Sequence, residues 1–373
     1  MQDVLPEFNR SHTRITAVGD LMLGDSAICT GYGFASQYSE SQFVQAMDRI
    51  ARRLAPSDIV FGNLECSLSE HGHEPRRWAS AQLRGRPGYA RGLRRAGFDI
   101  VSVANNHASQ HGDQAFKDTV ALMRDAGVEC CGIRGSDGWC SNPVVMERTG
   151  LRIGFLGYCL RPRQYSPVTP PYAEGSPPEI ASDVHRLRTR VDHIIVSLHW
   201  GEEYVAWPSS REVEAARSIT DAGAAVILGH HPHVPRPVQY TGRKLIAYSL
   251  GNFISDMIWY PPLRNSMILQ FELGRYPTSV SLEPLRIGPD YLPSPNAANP
   301  TVDVSETVQG ISEREYQKEV ARTVRAGRVT GYRHAAMNMH RFTSPTLRQL
   351  IATTMRNKAN VVIGAVRNRG GAR

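Results

Sequence analysis

Nine side chains that can ligate a metal ion or carry a proton stand where strand-like runs stop: Asp20, Glu65, Asn105, Asn106, His107, His199, His230, His231 and His233. Carboxylate, amide oxygen and imidazole together suit Mn²⁺, Fe or Zn²⁺ rather than a soft thiolate site. The set is large enough for two ions, and a shared carboxylate would bridge them. Such a site suits hydrolysis. Bound ions activate water and polarise the oxygen under attack, and a neighbouring imidazole protonates the leaving group. His231 and His233 are two residues apart, a spacing that points both to one face of an extended chain. Pro232 between them favours that extended conformation at His231.

These side chains can meet only if their strands lie side by side. Short runs rich in Val and Ile lie at 14–20, 58–65, 99–107, 151–159, 193–200, 224–231 and 244–253, and most run into a polar cluster. Helical patterns fall between them at 43–55, 88–96, 113–126, 179–190 and 210–222. Gly97, Gly127 and Gly223, each after an alanine, are placed to end three of these helices in the left-handed conformation. This alternation predicts an α/β fold with a largely parallel sheet, whose strand ends converge on one edge. The proline-rich stretch 161–178 reads as a loop that can lie over that edge. A second proline-rich stretch marks a boundary near 284–300. Beyond it, 311–326 and 347–366 read as helical.

Composition narrows the class. A chain of 373 residues buries a large core. Six scattered cysteines do not form C-x-x-C pairs, against a zinc ribbon or a thioredoxin-like site. No run approaches the length of a membrane helix, and the N-terminal residues lack the apolar stretch of a signal peptide, so a cytoplasmic protein without a membrane anchor is expected. The formal net charge is +8, yet residues 320–373 alone carry eleven Lys or Arg and no acid, so the remainder is net acidic. A basic tail can meet an anionic partner. Nucleic acid is not the expected one, because aromatic residues do not interleave with the basic ones there. Oligomeric state is not legible.

GDLMLGD at 19–25, GNLE at 62–65, ANNH at 104–107, LHWGEEY at 198–204, GHHPHV at 229–234 and YSLGNF at 248–253 resemble the ordered motifs of the CapA family, named for poly-γ-glutamate capsule synthesis. The resemblance spans roughly residues 13 to 275. It implies the four-layer α/β/β/α sandwich of the calcineurin-like metallophosphoesterases, here as a catalytic domain over 13–282, a linker over 283–300 and a partly helical basic extension over 301–373. It also implies two divalent ions held by Asp20, Glu65, Asn106, His199, His231 and His233, with Asn105 and His230 as alternative ligands. His107 falls at the general acid, and Arg84, Glu203 and Asn252 fall at positions that contact substrate or support the ligands. The implied substrate is anionic, a polyglutamate-like polymer or a small molecule, and the implied reaction is hydrolysis or transfer of a γ-glutamyl-like amide. A phosphoesterase and a non-catalytic subunit of a polymer-making complex are the alternatives. The family's Asp shortly after NNH is replaced here by the stretch Ser109-Gln110-His111, with His111 and Asp113 as possible substitutes.

Overall fold

The apolar runs become strands buried on both faces, and the two faces of each strand serve different cores. A computed structural model describes residues 12–74, 77–165, 169–296, 302 and 304–342. Strands β1 (Thr13–Leu21), β2 (Ile59–Leu64), β3 (Ile100–Ser102) and β4 (Glu129–Cys131) lie parallel in that order in one sheet. Val18, Val60 and Val101 face helices α1 (Glu40–Leu54), α2 (Tyr89–Ala96) and α3 (Gly112–Asp125). Ile15, Ala17, Ile59 and Phe61 face the opposite way.

The chain then builds a second sheet. Strands β5 (Leu151–Cys159), β6 (His193–His199), β7 (Val226–His230) and β8 (Leu245–Ala247) are parallel neighbours, with α4 (Pro177–Leu187) after β5 and α5 (Ser210–Asp221) after β6. Leu156, Val196 and Ile227 pack under α4 and α5, while Phe155, Ile195 and Leu228 join Ile15 and Phe61 in a core between the sheets. The layers are therefore helix, sheet, sheet, helix. After β8 the chain returns to the first sheet. There β9 (Asn252–Ile254) pairs with β1, and β10 (Asn265–Leu273) and β11 (Pro277–Ile287) add an antiparallel edge. The alternation of strands and helices alone implied one largely parallel sheet; burial of both strand faces is met instead by two mixed sheets packed on each other.

Local chemistry agrees with the elements. Gly97, Gly127 and Gly223 have φ of 99°, 82° and 128° at helix ends. Ser39, Ser176, Ser209 and Ser312 each open a helix with a reciprocal Ser–Gln or Ser–Glu capping box. The described cysteines are unpaired thiols, and burial pushes those of Cys66, Cys130 and Cys159 up to about 12. Among the described residues no helix is long and apolar enough to cross a membrane.

The expected linker and extension need correction. A boundary at 283 would cut β11, whose pairing with β10 reaches Arg286. Val304–Ser305 pair with Val238–Tyr240 at the edge of the second sheet, and α6 (Glu313–Met337) buries Tyr316, Thr323, Gly327 and Gly331. The described part of the extension is thus docked on the sandwich. The helix expected at 347–366 lies outside the described residues.

Candidate metal centre

The ends of four strands, two from each sheet, deliver the polar cluster. Asp20 is the penultimate residue of β1, Glu65 follows β2, His199 ends β6, and His230 ends β7 just before His231 and His233. All six are buried. Gly19 makes the first placement possible: a Cβ there would lie 1.9 Å from the Gly251 carbonyl oxygen, which receives the Asp20 amide at 2.9 Å. The YSLGNF backbone therefore passes directly against the GD turn.

Two groups of ligand atoms form around Glu65. Glu65, His199 and His231 each offer an atom within 4.8 Å of the others, and so do Asp20, Glu65 and His233. In the first group His199 Nε2 lies 2.7 Å from Asn106 Oδ1, 3.1 Å from His231 Nδ1 and 3.5 Å from Glu65 Oε1. One nitrogen facing three electron-rich atoms can satisfy only one of them with a hydrogen. In the second group Asp20 Oδ2 lies 3.1 Å from His233 Nδ1, and Glu65 Oε1 lies 4.0 Å from His233 Nε2. Both Glu65 oxygens and His231 Nε2 are buried without a hydrogen-bond partner among the described residues. A buried unsatisfied polar group costs about 1–3 kcal/mol, and a charged one more. A divalent cation would answer these deficits, so the residues fit a metal ion, and Glu65 belongs to both candidate groups.

The groups differ electrically. Burial alone would raise the Asp20 carboxyl, but the adjoining His230 and His233 rings outweigh it and hold Asp20 well below the usual carboxylate range. Burial pushes Glu65 well above that range, and the charges of Asp20 and Glu203 add to the effect against the pull of His233. Burial opposes protonation of His233, yet Glu65, Asp20 and Glu203 together raise it to about 10. Burial and neighbouring imidazoles hold His199 and His231 well below the ordinary histidine value.

The remaining predicted residues find definite places. Asn106 presents Oδ1 to His199, while its Nδ2 donates to Gln164 Oε1 at 3.1 Å. Asn105 instead donates to the Leu64 carbonyl at 2.9 Å and to Asn63 Oδ1 at 3.4 Å. His231 sits beside His199, and His230 sits with Nδ1 3.2 Å from Asp20 Oδ1. Asn252 Oδ1 lies 2.9 Å from His233 Nδ1, fixing that ring. His107 Nε2 lies 3.9 Å from Glu65 Oε1, and its Nδ1 is 2.7 Å from Gln110 Oε1. Gln110, rather than His111 or Asp113, thus holds the imidazole; His111 Nε2 contacts the Gln82 carbonyl at 2.7 Å.

Two readings are corrected. The chain at His231 and His233 is not extended, since their φ angles are 94° and 59°. A left-handed turn converges the two rings, whose centroids are 5.8 Å apart, at a backbone cost of order 1–3 kcal/mol per residue. The Arg84 Nε and Nη1 atoms, expected to meet a substrate, donate instead to the carbonyl oxygens of Ser80, Ser69 and His71.

Other contributors had no clear sequence signal. Asn63 Nδ2 donates to Asp20 Oδ1 at 2.9 Å. From the loop after β5, Gln164 fixes Asn106, the Tyr165 ring lies 5.7 Å from that of His107, and Arg161 lowers the proton affinity of His231 by its charge. Asn63 was inside a recognised motif and could have been found there. The loop residues could not.

The chain folds as a four-layer sandwich of helix, sheet, sheet and helix, with candidate ligands drawn from the strand ends of both sheets, the architecture that the resemblance to calcineurin-like metallophosphoesterases implied. Residues 14–257 match the family model described as bacterial capsule synthesis protein PGA_cap, and the chain belongs to that family. It is 28% identical over 302 residues to the capsule biosynthesis protein CapA of Bacillus anthracis, covering 76% of this chain and 70% of that one. It is 28% identical over 262 residues to the PGA biosynthesis protein CapA of Bacillus subtilis, covering 69% and 67%. The calcineurin-like phosphoesterase YfkN of Bacillus subtilis superposes with a TM-score of 0.46 at 12% identity, over 88% of this chain and 99% of that one, a likeness too distant to bear on function.

Proposed function

We propose that this protein is a metal-dependent enzyme that hydrolyses or transfers a γ-glutamyl-like amide or isopeptide bond, in the metabolism of poly-γ-glutamate or of a related small molecule. The observation that carries the reading is the pair of buried ligand groups sharing Glu65, with His107 beside them and outside both. Asp20, Glu65, His233, His199, His231 and Asn106 would hold the ions. Divalent ions bound there supply Lewis acidity and an activated nucleophile. Asn252 and His230 orient His233 and Asp20. His107, held through Nδ1 by Gln110, presents Nε2 toward the centre and delivers the proton that an amine leaving group requires. Burial holds His107 below the ordinary histidine value, opposed by the Gln110 hydrogen bond and by the charges of Glu203 and Asp20. Relatives named for capsule biosynthesis and PGA biosynthesis support a place in that metabolism.

The test is metal analysis of the purified protein followed by turnover of a γ-glutamyl peptide and a chromogenic phosphodiester, with Mn²⁺, Zn²⁺ or Fe²⁺ added. Metal-dependent release of glutamate supports the reading. Turnover of the phosphodiester alone would replace it with a phosphoesterase. Bound metal without turnover of either would make the chain a non-catalytic subunit, in keeping with a Mycobacterium tuberculosis relative named a probable polyglutamine synthesis accessory protein, 27% identical over 42% of this chain and 45% of that one.

A further inference from the structure

The loop Gly201–Val205 leaves β6 immediately after the candidate ligand His199, and it is held from outside the sandwich. Its Glu202 amide donates to Tyr316 Oη at 2.8 Å, and Tyr316 belongs to α6. The same hydroxyl lies 3.1 Å from Nη2 of Arg236, a fully buried guanidinium that also donates to the Glu202 and Val205 carbonyls. Three turns further along α6, Gly327 leaves room for the Tyr204 ring: a Cβ there would lie 2.9 Å from Tyr204 Cε2. The Glu202 carboxylate is taken up by a two-pronged pair with Arg161 at 2.7 and 3.0 Å. Glu203 makes no such pair among the described residues, and the amide of Tyr204 next to it donates at 2.9 Å to the carbonyl of Pro232, which lies between the candidate ligands His231 and His233. Two glutamates side by side are thus treated differently: Glu202 is paired with Arg161 and anchors the loop, whereas Glu203 has no ion pair among the described residues and adjoins the residue bonded to the His231–His233 turn.

We propose that α6 braces this loop, with Tyr316 as the positioning residue that keeps Glu203 at the edge of the metal centre. The proposal rests on the metal-site reading above but not on any particular reaction. It makes the C-terminal helix part of the site, although every candidate ligand lies before it. A negative charge held near two dications raises their affinity. Loss of the Tyr316 hydroxyl releases that charge from its place without removing a ligand.

The experiment uses the full chain with Tyr316→Phe, Glu203→Gln and the double variant, titrated with Mn²⁺ by calorimetry. Amide hydrogen exchange of 201–205 is followed alongside. Glu203→Gln is expected to weaken Mn²⁺ binding roughly tenfold, the lower end for outer groups at metal sites. Tyr316→Phe should weaken it by several-fold, with faster exchange confined to this loop. The double variant should bind no more weakly than Glu203→Gln, because the hydroxyl acts through that carboxylate. Gly327→Leu, which displaces Tyr204, should behave as Tyr316→Phe does. Wild-type affinity in Tyr316→Phe, or losses that multiply in the double variant, would overturn the proposal. Absence of Mn²⁺ binding in the wild-type chain would instead defeat the metal-site reading. Exchange would then decide the brace alone: unchanged rates in Tyr316→Phe would refute it.

Discussion

The two halves of the candidate metal centre share Glu65 but have opposite electrical characters. On one side His199 and His231 are both held below the ordinary histidine value, so their lone pairs are free at neutral pH. On the other, His233 is raised to about 10 by the carboxylates around it. The ligand types are nearly the same. What differs is the neighbour: an imidazole packed against imidazoles is stripped of its proton, and one packed against carboxylates keeps it. Apart from the shared Glu65, the first half has no imidazole proton to lose, whereas the second must exchange one for a cation.

The change expected to do most damage removes the shared member. Glu65→Gln should empty both halves, seen as loss of both ions by elemental analysis. His231→Ala or Asp20→Asn should empty only the half to which each belongs. Full retention of metal in Glu65→Gln would show that the halves do not share a ligand. His107→Ala should leave the metal content intact and lower turnover by on the order of 10²–10⁴-fold; unchanged turnover would remove His107 from the acid role. Asn252→Ala withdraws the acceptor at His233 Nδ1, and should weaken binding in the Asp20 half alone by about 10–100-fold. An equal loss in both halves, measured in the single-half variants, would contradict that assignment.

The smallest effect is the most diagnostic of the contrast. Binding at the Asp20 half must expel the His233 proton at any pH below about 10, so its affinity should climb with pH by up to about tenfold per unit. At the other half the imidazoles have no proton to lose at neutral pH, and only Glu65 contributes. Calorimetry in buffers of different ionisation heat should therefore register more protons released by the His231→Ala variant, which retains the Asp20 half, than by Asp20→Asn. Equal release would erase the distinction.

Much of this was readable in the sequence, for reasons that can be named. Strand runs ending in Asp, Glu, Asn or His mark the edge of a sheet, because such residues cannot continue an apolar core. Glycines after alanine marked the helix ends because the left-handed conformation is cheap for glycine alone. What escaped depends on contacts between distant segments. The choice between Asn105 and Asn106 turns on Gln164, 58 residues further along than Asn106. Arg84 looked like an anion binder until its carbonyl partners were visible. The turn at His231 and His233 runs against the local preference that Pro232 sets, and only the surrounding packing sustains it. The docking of α6 through Tyr316 and Gly327 leaves no periodic trace, and so it read as an extension rather than as part of the body.

Each half of the centre draws from both layers of strands: Asp20 and Glu65 from the first sheet, His199, His231 and His233 from the second. An ion in either half would therefore be a clasp across one end of the sandwich, while an apolar core joins the sheets along the space between them. Stripping the metal would leave that core shut and unfasten only the rim. The protein should melt as a closed body when loaded and fray from the ligand end when chelated, with a midpoint that follows free metal concentration as RT ln(1 + [L]/Kd) requires.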